Sequence, residues 1–172
     1  SEPTADVTID LTSSDTTEGT VSPTQLTFTT ANWNAAQTVT VTGVDDAVVD
    51  GDIGYTITTA AAVSSDANYN GMDAADVSVT NTDDDTAGIT VTPTSGLITG
   101  EAGSADTFTV VLDSEPTADV MIDLTSSDTS EGTVTPTQLT FTNANWNSTQ
   151  TVTVTGVDDA LVDGNIAYTI TT

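Results

Sequence analysis

Apolar residues recur along this chain at every second position, in short stretches separated by turn-forming residues. Val7, Ile9 and Leu11 begin the series. It continues through Leu26 and Phe28, Val39 and Val41, Ile53, Tyr55 and Ile57, Val77 and Val79, Ile89 and Val91, and Phe108, Val110 and Leu112. A period of two places these side chains on one face of a pleated strand and leaves the other face to water. The alternate positions are mostly Thr, as in Thr38-Val39-Thr40-Val41-Thr42; its β-branched side chain suits an extended backbone and its hydroxyl tolerates solvent. No segment sustains a 3.6-residue period, and Thr supplies 40 of the 172 residues, so helix is disfavoured on both counts. Turn signals at 15–19, 22–23, 44–52, 68–71 and 93–96 divide the strands. The spacing predicts an all-β fold of antiparallel, seven-stranded, immunoglobulin-like sandwich modules of about 110 residues.

The strand pattern is duplicated. Residues 1–59 recur at 114–172 without a gap, with nine differences and 50 identities in 59 positions. The differences are Thr8/Met121, Thr17/Ser130, Ser22/Thr135, Thr30/Asn143, Ala35/Ser148, Ala36/Thr149, Val48/Leu161, Asp52/Asn165 and Gly54/Ala167. An offset of 113 residues is too long for a solenoid repeat and matches a whole domain, so the chain reads as modules in tandem. The expected boundaries are 1–85 for one module and 86–172 for the next. Each is partial, as in a window on a longer array, and the strands each lacks are expected from neighbouring sequence or a neighbouring chain.

Composition narrows the chemistry. There are 26 Asp and Glu and no Lys, Arg, His or Cys, giving a formal charge of −26. Nucleic acid and anionic membrane surfaces repel such a polymer. No imidazole, thiol or amine is present for triad, Cys-His or Schiff-base catalysis, or for a common zinc site. With 36% hydrophobic residues the chain nevertheless has enough apolar content to fold. No apolar run is long enough to insert into a membrane. Asp-Thr pairs occur, but Asp-Thr-Gly and Asp-Ser-Gly do not, and the acids come in sets suited to a cation, so the chain does not read as an enzyme.

Those sets lie in loops. Asp45, Asp46 and Asp50, with Asp52, follow a strand; Asp158, Asp159 and Asp163, with Asn165, are their counterparts; Asp83, Asp84 and Asp85 close the first module. Two carboxylates about 5 Å apart repel by roughly 0.8 kcal/mol in water, and more at lower dielectric. They read either as solvated acidic turns screened by salt, or as a converging set that needs a bound cation, since the chain has no basic side chain. Hard oxygen donors select Ca²⁺.

The chain resembles the tandem Calx-beta modules of large bacterial surface and secreted proteins. The matching residues are Ile89-Thr90-Val91-Thr92-Pro93 with Glu101, Phe108 to Leu112, Leu26-Thr27-Phe28 before Asn32-Trp33-Asn34, Gln37 to Thr42, Val44-Asp45-Asp46 with Asp50-Gly51-Asp52, Tyr55, and Asp83-Asp84-Asp85. The resemblance implies Ca²⁺ ligation at one tip of the module, by Asp45, Asp46, Asp50, Asp83, Asp84 and Asp85 in the first copy. In the second it implies Glu101, Asp158, Asp159 and Asp163. Ile53 and Ile166 stand where the family often has a further acid, and Asp50 and Asp163 where it frequently has Glu, which reduces the ligand set.

The function expected is a structural repeat of a long extracellular adhesin or fibre at the cell surface, stiffened by Ca²⁺ at the module junctions. Its partners would be neighbouring modules, or like chains in a fibre. The alternative is a carbohydrate-binding or cell-attachment module. Trp33 and Trp146, each in Ala-Asn-Trp-Asn, would then offer rings to surface glycans, whereas in the structural reading they cap the core edge. Asn147-Ser148-Thr149 is a glycosylation sequon that the first copy lacks.

Overall fold

In the computed structural model, which describes residues 1–162 and 164–172, the alternating stretches form strands and no helix occurs among the described residues. All the paired strands are antiparallel. The fold is all-β, of sandwich type. It divides into two units, Ser1–Asp46 with Asp50–Asp84, and Ala47–Val49 with Asp85–Thr172.

The first unit contains β1 (Val7–Ser13), β2 (Gly19–Ser22), β3 (Gln25–Phe28), β4 (Thr40–Gly43), β5 (Ile53–Thr59), β6 (Val63–Ser64) and β7 (Val77–Asn81). One sheet has the order β3-β1-β5-β7, with β6 also on β1; β2 and β4 form a separate pair. The buried apolar residues are Val7, Leu11, Tyr55, Ile57 and Ala62. The first four lie on β1 and β5, the two inner strands of the sheet, where each alternate side chain points inward.

The second unit contains β8 (Ile89–Thr92), β9 (Ala105–Leu112), β10 (Val120–Asp123), β11 (Thr125–Ser126), β12 (Gly132–Thr135), β13 (Gln138–Phe141), β14 (Gln150–Gly156) and β15 (Ile170–Thr171). Here the four-stranded sheet has the order β12-β14-β9-β8, and β10-β13 and β11-β15 are pairs. Phe108, Val110, Leu112, Ile122, Leu124, Val134, Leu139, Phe141, Val152 and Val154 form its core.

Equivalent sequences thus occupy different settings, and strand length follows the partner. Residues 150–156 are all strand because β9 pairs along them from Gln150↔Val110 to Thr155↔Ala105. The same seven residues at 37–43 are strand only over Thr40–Gly43, where β2 is the partner. Conversely, Ile53–Thr59 is a full strand between β1 and β7, whereas its counterpart is strand only at Ile170–Thr171. Burial changes in step. Val152 and Val154 are 0% and 2% exposed, whereas Val39 and Val41 are half-buried; Tyr55 and Ile57 are buried, whereas Tyr168 and Ile170 are half-buried.

Candidate metal centre

The turn before β2 builds the first wall of the site. Asp15 accepts hydrogen bonds from the Thr17 hydroxyl at 2.5 Å and the Thr17 N–H at 3.0 Å, and the Gly19 N–H donates to the Asp15 carbonyl at 3.1 Å. The Thr17 hydroxyl, followed by its N–H, holds the Asp15 carboxyl below the usual carboxylate range. The turn is repeated at Asp128, where Ser130 donates in the same way and lowers that carboxyl too. A short polar side chain that bonds the backbone two residues on is a local device, so both copies fold alike.

This turn delivers Glu18. Its carbonyl accepts from the Val44 N–H at 2.9 Å, which brings it beside the acidic loop that follows β4. Glu18 is only 8% exposed, and its Oε2 accepts from Asn81 Nδ2 at 3.3 Å; the same Nδ2 donates to the Val44 carbonyl at 2.7 Å. Carboxylate oxygens of Glu18, Asp46 and Asp50 all lie within 4.8 Å of one another. Asp45 and Asp84 approach within the same distance. Asp83 lies beside this loop: its Oδ2 accepts from the Gly51 N–H at 2.7 Å, and its own N–H donates to Asp52 Oδ1 at 3.2 Å. Asp85 is the first residue after the first unit.

Three carboxylates within 4.8 Å repel by at least about 0.9 kcal/mol per pair in water, and by more beside a buried Glu18. The Asn81 amide is a neutral donor and offsets little of this. The donor set is carboxylate oxygen throughout, without nitrogen or sulfur, which fits a hard divalent cation of the calcium type.

The expected ligands of the second copy are placed differently. Glu101, Asp158 and Asp159 are exposed and belong to no three-acid group among the described residues, and Asp163 lies outside them. Asp159 Oδ1 instead accepts from the Leu161 N–H at 2.7 Å. Glu101 and Glu131 line one cavity of about 1110 Å³, together with Phe108, Val154 and Tyr168. Asn147 is exposed in the turn before β14. Trp146 packs against the core of its unit, whereas Trp33 is 36% exposed.

Glu18 is absent from the residues expected from sequence. It stands in Asp15-Thr16-Thr17-Glu18-Gly19, which reads as a turn. The available signal was its recurrence as Glu131 in the second copy, an acid kept at the mouth of a strand. Compared with protein-family models, curated proteins and solved structures, the chain matches none.

Proposed function

We propose that this chain is a structural segment of an extracellular tandem array, built of Calx-beta-like sandwich modules of seven principal strands and stiffened by Ca²⁺. The observation that carries the reading is the gathering of Glu18, Asp46 and Asp50 within 4.8 Å in a chain with no positive side chain. A cation bound there replaces carboxylate repulsion with shared attraction and ties the turn before β2 to the loop after β4. The run Asp83, Asp84 and Asp85 supplies further oxygens at the module's exit, so the ion restrains the joint to the next module. For the next copy the resemblance assigns the same part to Glu101, Asp158, Asp159 and Asp163, of which the first three form no three-acid group among the described residues. No residue is assigned to catalysis; the role is mechanical.

The test is thermal unfolding of the chain in Ca²⁺ and in chelator at matched ionic strength. Ligand at about 100 times its Kd stabilises the native state by about 2.7 kcal/mol, which is an upward shift of order 10 °C for a unit of this size. Glu18→Gln with Asp50→Asn should abolish most of that shift. A melting temperature indifferent to Ca²⁺ refutes the cation, and with it the stiffened joint.

A further inference from the structure

We propose that Asn147 is an N-glycosylation site of this chain, and that Asn34, the same residue of the repeat, is not one.

Residues 32–36 read Asn-Trp-Asn-Ala-Ala, and residues 145–149 read Asn-Trp-Asn-Ser-Thr. Two of the nine differences between the copies, Ala35/Ser148 and Ala36/Thr149, therefore complete the Asn-x-Thr signal in the second copy alone. The turn itself needs neither hydroxyl. In both copies the first Asn closes it: Asn145 Oδ1 accepts from the Thr142 N–H at 2.6 Å, and Asn32 Oδ1 from the Thr29 N–H at 2.5 Å. The next bond is also shared. The Ser148 N–H donates to the Asn145 carbonyl at 3.0 Å, and the Ala35 N–H to the Asn32 carbonyl at 2.8 Å. Ser148 and Thr149 thus add chemistry to a turn that forms without them.

That chemistry is open to a transferase. Asn147, Ser148 and Thr149 are all exposed in the link between β13 and β14. Because Asn145 holds the turn, the side chains of these three residues take no hydrogen bond among the described residues. The Asn147 amide is free to react, and the Thr149 hydroxyl is free to be recognised two positions on. Neither β13 nor β14 carries an acid, so a donor with a phosphate leaving group meets no carboxylate on the strands beside the turn.

In the reaction, Asn147 Nδ2 bonds to the anomeric carbon of a phosphate-activated saccharide. The bond from that carbon to the phosphate oxygen breaks, its electron pair leaves with the phosphate, and the amide proton passes to a base of the transferase. A lipid-linked pyrophosphate and a sugar nucleotide are both donors of this class. The product is a bulky, solubilising group at one turn of the second copy, and it does not depend on the cation.

The test has two arms. The chain behind a cleavable secretion leader is produced in a eukaryotic cell line, which supplies a lipid-linked donor. The chain made without sugar in a bacterial cytoplasm is incubated with a soluble N-glycosyltransferase and a sugar nucleotide. Peptide mapping by mass spectrometry should find a saccharide on Asn147 in at least one arm and on Asn34 in neither, and the arm that succeeds identifies the donor. Asn147→Gln and Thr149→Ala, both at exposed positions, should each return the chain to its bare mass. Ala35→Ser with Ala36→Thr should add a second saccharide, at Asn34. Bare peptide in both arms overturns the proposal, as does sugar that persists in Asn147→Gln or an Asn34 that stays bare in the paired variant.

Discussion

Phe28 and Phe141 are one residue of the repeat seen in two settings: Phe141 is 0% exposed within the core of the second unit, and Phe28 is half-buried. Alternation marks both as inward-facing and cannot distinguish them, because depth depends on what packs opposite. Phe141→Ala should cost about 3–5 kcal/mol, transfer plus cavity. Phe28→Ala should cost about 1–2 kcal/mol, since part of its surface is already in water. Urea midpoints of the two variants check the order, and equal losses would contradict the difference in burial. A second residue-scale case is Asp66, a lone acid in sequence but only 5% exposed. The Thr4 N–H at 2.8 Å and then the Asn68 N–H at 2.9 Å hold its carboxyl below the ordinary range. Because the folded value is depressed, its stabilisation is complete above the ordinary carboxylate value of about 3.9 and is lost as pH falls through the lower folded value. The stability gap between the native chain and Asp66→Asn should therefore be constant from about pH 5 to 7 and close below about pH 4. A gap unchanged at low pH would show that the hydrogen bonds do not favour the charged form. Sequence gave no hint of this, since Thr4 is 62 positions away.

At the scale of elements, the strands were legible and their ends were not. The turn of Asp15 and its copy at Asp128 form from local hydrogen bonds and are the same in both units. The extents of β4 and β14 differ because a ladder needs a neighbour as well as a pattern. The contact between β2 and β5 offers a test. A Cβ at Gly19 would fall on the Tyr55 ring, and one at Gly132 on the Tyr168 ring. Tyr55 is 5% exposed, whereas Tyr168 is half-buried and has room to move. Gly19→Ala should cost about 1–3 kcal/mol, the usual range for overpacking, and Gly132→Ala distinctly less. Differential scanning calorimetry of the two variants separates them. Of the candidate site, the loop Asp45 to Asp52 was legible from its acidic recurrence. Glu18 was not, because its proximity depends on Val44 and Asn81 meeting it across the fold.

At the scale of the whole molecule the net charge of −26 dominates. Raising monovalent salt from about 0.01 M to 1 M shortens the screening length from about 30 Å to 3 Å, so the melting temperature should increase with NaCl throughout. Under the proposed function, Ca²⁺ at millimolar concentration should raise it beyond the value at matched ionic strength, because the three acids within 4.8 Å would then bind the ion instead of being merely screened by it. Identical curves for the two salts would reduce the acids to a solvated surface. By itself the sequence determined the strands, their wet and dry faces, the repeat and the polyanion. Each of these is written in residues that are near neighbours, or in simple sums over the chain. Only the tertiary structure decided which strands run to full length, which copy of each apolar residue is buried, and that Glu18 joins Asp46 and Asp50. Those outcomes depend on groups far apart in sequence, where a side chain's surroundings are set by whichever strand lies against it.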